Sequence, residues 1–599
     1  MKSILLITLL LLICNGAISQ EQNIYMGGQV ELTEMPNGGI INSKAPESII
    51  KTMPHEPNII HISDGIWSIE GYAHVNCAVI EGDTGLIVYD SGNDNVDGQK
   101  FLDVIKQLSD KPVKTIIYSH AHYVWGSKVL LDGSDDYTII GHPKLNQNIL
   151  ESGGFGGNIP ELAPVFTSRS YEQFDVYTPD EGPDAPLGSS PLGTNEKEFV
   201  PVTLPVNNKE ILTIDGVKMQ FFTDYHSDTD DCLTVYFPEK DLVINNLYWP
   251  VYPNLYSLRG SVYRDPLPLI EGLRIIRDIE PEHLLSTHTY SVSGKENVNE
   301  AISNYHDGLA FLYDQTLRRI LLGETPNEMR HSIHLPQHLD KWPNNQRTYG
   351  ELSYYSANIY YNAMGWFDGD ATNINPISSD LEAKKIVEGF GGRGKVIENI
   401  YEAMSSEEFA WATQLSDYLF KVYPNDQKVR QLKADALRIM GQRTMASIPR
   451  SWYLSQARSL ENKVDIPVVV MPTKDQVLIS EPGNYVDMLR VRINPELSVN
   501  TNKLLVVEFT DVDKNSRFGL HIRKGVVEYV SNLEHYYKEI DFTIKLPRSL
   551  FATYFIGEID LQELVDNNLV EIVVGNKKGI TELLMRFDQI NSSETRFKF

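Results

Sequence analysis

A pair of histidines two positions apart follows an apolar run that reads as a β-strand. The run extends from Thr115 to Ile117, and the histidines are His120 and His122. Because alternate residues of an extended chain project to the same side, both imidazole rings could bind one metal ion at about 2.0–2.1 Å. An isolated pair of this kind is more often explained by ordinary hydrogen bonds, so the rest of the sequence has to decide between the two interpretations.

Further residues of the same chemical types stand at the ends of other β-like runs. His226 lies in a turn between two strands, His288 follows the apolar run at 283–285, and Asp90 ends the run at 86–89. Loops at strand ends are where α/β scaffolds carry metal ligands and catalytic groups. These residues therefore join the histidine pair as candidates.

The cysteines exclude one class of metal site. Outside the N-terminal leader described below, the chain has only Cys77 and Cys232, and each lies in a strand-like run. Two cysteines cannot form a cysteine-rich zinc site, so any metal must bind to histidines and carboxylates. We expect both to be buried free thiols, because a chain of this length does not need a disulfide for stability.

The elements that must position these candidates divide the chain into three regions. From about 57 to 300, short β-rich runs alternate with helical stretches, which predicts an α/β domain. Between about 380 and 440, apolar residues at helical spacing predict amphipathic helices, and past about 465 the strand pattern returns. A stretch rich in proline, glycine and serine at about 157–205 interrupts the first region and is predicted to be a functional loop.

The composition predicts a folded chain and argues against a general nucleic-acid binder. The 599 residues are 42% hydrophobic, which is ample for packed cores. The chain has 53 basic and 80 acidic residues, a net charge of −27, whereas nucleic-acid affinity depends on clustered lysine and arginine. A negative surface does not gather anionic substrates, so any anion site must be local.

The N-terminus predicts export. Residues 1–19 combine a positively charged start, an apolar run from Ile4 to Cys14 and small residues at the end. The run is too short to span a bilayer, and no later stretch approaches roughly 18 uncharged apolar residues, so 1–19 is interpreted as a signal peptide. Ile13 is bulky where a lipoprotein processing site needs a small residue, which disfavours lipidation. We expect a periplasmic or secreted protein without an integral membrane segment.

Longer motifs resemble a known family. The segment Asn254 to Gly260 resembles the N-x-Y-x-L-R-G segment of alkyl sulfatases, and Gly365 to Gly369 is similar to the G-W-F-D-G that opens their helical dimerisation domain. The histidine-bearing strand ends resemble the metallo-β-lactamase fold, an αββα sandwich. The resemblance implies a homodimer and these boundaries: a metallo-β-lactamase-fold domain at 20–330, a helical dimerisation domain at 331–465 and a sterol-carrier-protein-like α+β domain at 466–599.

The chain departs from the metal motif of that family. In the motif H-x-H-x-D-H the first two histidines are His120 and His122, but Val124 stands at the aspartate position and Trp125 at the last histidine. Asn246 is aligned with the bridging carboxylate. The resemblance therefore implies that most of a second metal site is lost.

The resemblance assigns the remaining roles. The third ligand of the first zinc is a glutamate in alkyl sulfatases and a histidine in many other members of the fold, and His226 fits the latter. We therefore expect one zinc per chain on His120, His122 and His226, with Asp230 or Asp231 orienting His226 or a water. His288 would serve as a general acid or base, or as a distant zinc ligand.

The implied activity is zinc-dependent hydrolysis of sulfate monoesters of alkyl alcohols. Arg259 would bind two sulfate oxygens through its planar fork, and Asn254 would add a donor. Such a substrate is a small amphiphilic ester. Two alternatives stay open: a hydrolase of another ester, lactone, phosphoester or β-lactam on the same fold, and a non-catalytic alkyl- or lipid-binding protein, which the changes at Val124, Trp125 and Asn246 would favour.

Overall fold

The computed structural model describes residues 30–152, 159–187, 195–512 and 516–597. The predicted signal peptide at 1–19 lies outside the described residues. The chain forms two compact units, the first of residues up to 156 and 173–464, the second of residues 157–172 and 465–598.

Two β-sheets form the centre of the first unit. The strands of the seven-stranded sheet, in spatial order, are Asn58–Ser63, Ile66–Glu70, Cys77–Glu81, Leu86–Tyr89, Val113–Ile117, Thr138–Gly141 and Leu204–Pro205. The strands of the six-stranded sheet are Ile211–Ile214, Val217–Phe222, Thr234–Phe237, Leu242–Asn245, His283–Ser286 and Val292–Ser293. A separate hairpin pairs Leu32–Glu34 with Ile40–Asn42.

Alternation along the strands explains why both faces of the first sheet are covered. In the strand Leu86–Tyr89, Ile87 and Tyr89 enter the core that the two sheets share, whereas Leu86 and Val88 enter the core under the outer helices. Because successive side chains of a strand point to opposite faces, a strand that is apolar throughout must be buried on both sides. This layering is the αββα sandwich predicted from the sequence, and the prediction is confirmed.

Helices cover the outer faces of the sandwich. The helices around the sheets are Lys44–Thr52, Asn95–Leu108, Ser127–Leu130, Leu145–Ser152, Pro266–Ile279, Lys295–Leu321, Pro326–Ser332, Gln337–Asp340 and Leu352–Met364. Helix Asn95–Leu108 begins at Asp94, whose carboxylate accepts hydrogen bonds from the next backbone N–H groups. Its apolar face, which includes Phe101 and Ile105, packs on the first sheet.

The predicted helical region follows within the same unit. Its helices are Ser379–Gly389, Arg393–Ser405, Phe409–Val422, Gln427–Arg443 and Ser447–Leu460. Each buries one apolar face, as the spacing in the sequence predicts. Among the described residues, no helix is both long and apolar enough to cross a bilayer.

The second unit is a five-stranded sheet with short helices. In spatial order its strands are Val526–Val530, Arg517–Arg523, Asn502–Phe509, Phe542–Leu546 and Glu571–Val574. Its helices are Ala163–Gln173, of which Gln173 belongs to the first unit, and Lys474–Ile479, Asn484–Asp487, Pro495–Ser498, Arg548–Phe555, Leu561–Asp566 and Lys577–Leu584. An apolar cavity of about 10 Å³ lies in its core, a volume too small for an alkyl chain.

Part of the predicted loop at 157–205 is therefore helical. Helix Ala163–Gln173 lies in it, and residues 157–172 belong to the second unit. The backbone N–H of Val470 donates to the carbonyl of Pro164 at 2.9 Å, and Arg596 pairs with the fully buried Glu172 at 3.0 Å. The segment is thus a structural part of the second unit.

Candidate active site

The two histidines of the motif meet through a tight turn. His120 has an extended backbone at the end of the strand Val113–Ile117, and a 3₁₀ turn over Ala121–Tyr123 follows it. The turn brings His122 Nδ1 to 3.0 Å from His120 Nε2. The sequence predicted that the two rings would lie close together, and they do. The prediction assumed a continuous extended chain, whereas the backbone forms a 3₁₀ turn here.

Asp228 completes the group. Its Oδ2 lies 3.0 Å from His122 Nδ1 and 3.6 Å from His120 Nε2. These three residues form a cluster of ligand atoms within 4.8 Å of one another, the only such cluster within the described ranges. His226, the predicted third ligand, lies outside the cluster, and a carboxylate two positions later takes that place.

Hydrogen bonds fix the orientation of Asp228. Its Oδ1 accepts from Ser227 Oγ at 3.1 Å and from Asn246 Nδ2 at 3.3 Å. Its other oxygen is thereby directed at the histidines. Burial raises the pKa of Asp228, but His120 and His122 lower it by more, so the carboxyl group stays ionised well below its ordinary range.

The surroundings of the histidines also suit a ligand role. Ser119 Oγ lies 2.9 Å from His120 Nδ1, which leaves Nε2 of that ring directed at the cluster. Burial alone would lower the pKa of His120, but Asp228 and neighbouring carboxylates raise it. Burial lowers the pKa of His122, which favours the neutral ring that binds metals.

The donor set fits zinc. Two imidazole nitrogens and one carboxylate oxygen are typical zinc ligands. Zinc–ligand bonds of about 2.0–2.1 Å in tetrahedral geometry place neighbouring donor atoms about 3.4 Å apart. The distances among the three atoms, 3.0, 3.0 and 3.6 Å, bracket this value. A three-residue set leaves a fourth position open, which is the arrangement of catalytic rather than structural zinc sites.

Two buried arginines accompany the cluster. Arg259 and Arg264 are 4% and 8% exposed. Burial and the charge of Arg264 together lower the pKa of Arg259 to about 10, although Tyr349 and Asp228 act in the opposite direction. Two guanidinium groups that repel each other inside a protein are costly unless an anion joins them, so this pair marks an anion site.

The loop that carries the arginines is held rigidly. Arg264 Nη1 donates to the backbone carbonyl of Asn254 at 2.8 Å, and the backbone N–H of Arg259 donates to Gln173 Oε1 at 2.9 Å. The side chain of Asn254, predicted to bind substrate, is buried, and its Oδ1 lies 3.4 Å from the hydroxyl of Tyr355. The structure thus places both predicted substrate-binding residues in one buried loop with Arg264.

His288 lies among aromatic rings. Its ring centroid is 5.0 Å from that of Tyr123, 5.6 Å from His74 and 5.5 Å from Trp249. Burial lowers the pKa of His288 far below its usual value, and the nearby His74 and His120 lower it further. His288 is therefore a neutral imidazole in contact with the ring of Tyr123, which also contacts His120.

The structure places Asp230, a predicted catalytic residue, in another environment. Its side chain is 52% exposed, pairs with Lys144 Nζ at 2.7 Å and accepts from Asn148 Nδ2 at 3.0 Å. The sequence predicted that Asp230 would orient a ligand. The contacts that orient Asp228 come instead from Ser227 and Asn246. Asp231 is buried, and its Oδ1 accepts from Thr229 Oγ1.

The residues that replace the second metal site do not face the cluster as ligands. Val124 is fully buried in the core under the outer helices, and Trp125 packs beside Phe199 at 6.1 Å between ring centroids. Asn246 acts as a donor to Asp228, as described above. Asn245 binds Leu285 and Ser286, so Asn246 is the residue of the two that reaches the site.

Sequence reasoning missed three residues here, namely Asp228, Arg264 and Tyr123. Asp228 could have been found, because alkyl sulfatases carry a carboxylate as the third ligand and Asp228 lies in the same turn as His226. Arg264 follows the matched motif by only a few residues, but nothing in its spacing marks it as buried. Tyr123 stands inside the motif at a position that the motif leaves unspecified.

Three family models match successive parts of the chain. The metallo-beta-lactamase superfamily model matches residues 71–244, the alkyl sulfatase dimerisation model residues 325–463 and the alkyl sulfatase C-terminal model residues 472–596. The superfamily implies a metal, typically zinc.

Characterised relatives match over most of the chain. A linear primary-alkylsulfatase of a Pseudomonas strain is 29% identical over 525 residues, which cover 82% of this chain and 96% of the relative. An alkyl/aryl-sulfatase of Saccharomyces cerevisiae is 26% identical, with 96% of this chain and 91% of the relative covered. An (R)-specific secondary-alkylsulfatase of Pseudomonas sp. is 25% identical, with 87% and 79% covered.

A solved structure shows the same fold. The stereoselective inverting sec-alkylsulfatase of Pseudomonas sp. superposes with a TM-score of 0.73 at 20% identity, covering 97% of this chain and 96% of that one. Its fold, the three consecutive family matches and the characterised relatives agree with the resemblance seen in the sequence motifs. The chain thus combines a metallo-β-lactamase-fold domain with matches to the two further domains of alkyl sulfatases, and it is similar to alkyl sulfatases over most of its length.

Proposed function

We propose that the chain hydrolyses sulfate monoesters of alkyl alcohols with one zinc ion per chain. The observation that carries the proposal is the pair of buried guanidinium groups, Arg259 and Arg264, beside the cluster of His120, His122 and Asp228. A sulfate monoester offers an anion that the arginines can bind and an oxygen that a metal can polarise.

The residues of the chain divide the work between binding and orientation. His120, His122 and Asp228 would hold the ion, and a zinc ion bound there would activate a water molecule and polarise the ester oxygen. Arg259 would bind two sulfate oxygens through bidentate hydrogen bonds from its planar guanidinium group, and Arg264 would add a second positive charge. Asn246 would keep Asp228 ionised and directed at the histidines.

His288 remains our candidate for proton transfer. Its pKa, lowered chiefly by burial, keeps the ring neutral and able to accept a proton. His288 is not part of the ligand cluster and contacts the ring of Tyr123, so it would act on the substrate rather than on the metal. Asp230 carries no role in this proposal, because it pairs with Lys144 on the surface.

The activity is tested by sulfate release from linear and secondary alkyl sulfates of several chain lengths, with the purified protein loaded with zinc. We expect turnover that is lost in Arg259→Ala, while elemental analysis still finds zinc. The matched control is Arg274→Ala, an exposed arginine on helix Pro266–Ile279 that pairs with Glu271. If the zinc-loaded protein released no sulfate from any of these esters, the proposal would be abandoned.

We also propose a homodimer. The dimerisation family match begins at 325, and a group of large apolar side chains is exposed within it, listed here with their exposure: Tyr361 47%, Met364 58%, Trp366 68%, Ile374 50%, Ile377 51% and Leu381 42%. Several exposed large apolar side chains within one matched domain are typical of an interface. A second copy of this chain is the occupant that the family match supports.

Export through the signal peptide at 1–19 is the last part of the proposal. It is supported by the charge and apolar pattern of that segment alone. N-terminal sequencing of the protein recovered from the periplasm or the medium would show cleavage near Ser19. Recovery of the uncleaved chain from the cytoplasm would contradict it.

A further inference from the structure

The ring of Tyr123 contacts two histidines that the sequence assigned to metal chemistry. Its ring centroid lies 5.0 Å from that of His120 and 5.0 Å from that of His288, and both contacts are edge-to-face. The side chain is only 8% exposed. Because this ring contacts the rings of His120, His122 and His288, it takes up space that an ion bound jointly by them would need.

We propose that Tyr123 takes the place of a second metal ion, with its ring excluding the ion and its hydroxyl group donating a hydrogen bond to an oxygen of the sulfate group. The proposal rests on the proposed function for the identity of the anion. The exclusion of a second ion is independent of it.

The ring is held in place from both sides. The backbone carbonyl of Tyr123 accepts hydrogen bonds from the N–H and from Oγ of Ser91, each at 3.0 Å. On the far side, Trp249 packs against His288 with 5.5 Å between ring centroids, and its Nε1 donates to the carbonyl of Asn246 at 2.8 Å. The ring itself is buried against the rings of His120, His122 and His288, so moving it would require repacking, and it fills volume in addition to the loss of ligands.

The hydroxyl group gives the reason for a tyrosine rather than a phenylalanine. Within the part of the chain that the structure describes, the hydrogen bonds of Tyr123 involve its backbone, and its hydroxyl group forms none. The hydroxyl is not among the fully buried polar atoms that lack a partner, so it is available to donate a hydrogen bond to a ligand in the site. The ring centroid of Tyr123 lies 5.0 Å from that of His120 and 6.0 Å from that of His122, which places the side chain beside the metal cluster.

Chemistry favours an anionic oxygen as that partner. A phenol has an ordinary pKa of about 10, so at neutral pH it donates a hydrogen bond. The arginine pair already marks the neighbouring space for an anion. A sulfate oxygen held by Arg259 or Arg264 can therefore be shared with Tyr123, which supplies locally part of what a second cation would supply.

Metal content tests the ring. The triple variant Val124→Asp, Trp125→His and Asn246→Glu restores the ligands of the family motif. We expect it to bind one zinc per chain by elemental analysis while Tyr123 is present, and two when Tyr123→Ala is added. Two zinc ions in the triple variant with Tyr123 intact would overturn the proposal, as would one in the quadruple variant shown to be folded by circular dichroism.

Anion binding tests the hydroxyl group and needs no multiple substitution. Calorimetric titration of the zinc-loaded full chain with inorganic sulfate should show about ten- to a hundredfold weaker binding in Tyr123→Phe, the loss expected for one hydrogen bond to a charged group. The control is Tyr236→Phe, a half-buried tyrosine of the strand Thr234–Phe237 outside the site. Equal sulfate affinity in wild type and Tyr123→Phe would overturn this part.

The two tests separate this inference from the proposed function, since neither uses turnover. If the wild type bound sulfate and lost affinity in Tyr123→Phe but released no sulfate from alkyl esters, the assigned activity would fail and the role of Tyr123 would stand. If the wild type hydrolysed alkyl sulfates and Tyr123→Phe changed neither sulfate affinity nor turnover, the activity would stand and the role of Tyr123 would fail.

Discussion

Asn246 Nδ2 lies 3.3 Å from Asp228 Oδ1, while the other oxygen of the same carboxylate lies 3.0 Å from His122 Nδ1. The amide thus stands where the family has a carboxylate and acts as a donor to a ligand. An amide in this position cannot repel Asp228, whereas a second carboxylate would need a second cation nearby. The substitution at Asn246 and the loss of ligands at Val124 and Trp125 are therefore consistent with each other.

Removing that donor should loosen the metal. In Asn246→Ala, Asp228 loses one of the two contacts on its Oδ1, and we expect zinc affinity to fall by about ten- to a hundredfold. Competition with a chelating dye measures this directly. The control Asn148→Ala removes an equivalent contact to Asp230 on the surface and should leave zinc affinity unchanged. Equal losses in the two variants would show that the effect is not specific to Asp228.

The identity of the third ligand is decided by paired substitutions. Asp228→Asn should abolish tight zinc binding, because an amide is a poor zinc ligand and the charge is lost, while His226→Ala and Asp230→Asn should retain about one zinc per chain. Elemental analysis after dialysis measures each. The opposite result, with zinc lost in His226→Ala and kept in Asp228→Asn, would restore the ligand set predicted from the sequence.

The two arginines should act together. Arg259→Lys is expected to reduce turnover of alkyl sulfates by about 10²–10³ with zinc retained, since an ammonium group cannot reproduce the bidentate fork. Arg264→Lys should weaken sulfate binding too, and it should also disturb Asn254, whose carbonyl it holds. In the double variant, losses that simply multiplied would contradict a shared anion, because residues that bind one group are expected to be non-additive.

A buried carboxyl group far from the cluster predicts a pH dependence of stability. Burial raises the pKa of Glu351 to about 7, although Thr444 Oγ1 donates to it at 2.6 Å. The folded protein therefore holds this proton between its ordinary pKa of 4.5 and about 7, and stability falls as pH rises through that window. Glu351→Gln should remove this slope and raise the free energy of unfolding at pH 8 by up to about 3 kcal/mol. Unfolding curves at pH 5 and pH 8 measure it, and a slope that persisted in Glu351→Gln would contradict the assignment.

The exposed apolar group predicts the assembly. Trp366→Glu places a charge on a side chain that is 68% exposed and should shift the dimer towards monomer at micromolar protein. Light scattering compares the masses with the 67.9 kDa of one chain. The control Leu150→Glu changes a residue that is 85% exposed outside the dimerisation match. A wild-type mass of one chain would contradict the dimer itself.

The fold was predictable because strand and helix patterns in this chain are strong and local. Runs such as Leu86–Tyr89 are apolar throughout and can only be buried on both faces, and the helices near 380–440 carry clear apolar stripes. The start of helix Phe409–Val422 was not predictable, because Ser405 and Ser406 resemble the N-terminal cap of a helix. In the structure they end the preceding helix, and Glu407 after them has a left-handed conformation.

The site was predictable only where one segment contains the whole signal. His120 and His122 carry their own geometry, and Arg259 lies inside a recognisable motif. Asp228 and Arg264 are harder to predict, because several polar residues lie near each of them in the sequence and only one turns inward. Asp228 is oriented by a hydrogen bond from Asn246, and Arg264 by one to the carbonyl of Asn254. A local sequence pattern does not contain these contacts. The same dependence misplaced Asp230, which Lys144 draws to the surface.

The passage of residues 157–172 into the second unit has a consequence for the order in which the protein forms. Helix Ala163–Gln173 is synthesised early, yet the strands and loops that receive it, including the segment at Pro467 and the one at Arg596, emerge at the end of translation. Until then Glu172, which is fully buried in the folded unit, has no ion-pair partner from that end of the chain. The second unit therefore cannot complete its folding before the last residues are synthesised. A polypeptide truncated near 465 would keep helix Ala163–Gln173 without the residues it packs against, so the truncation would not remove a self-contained domain.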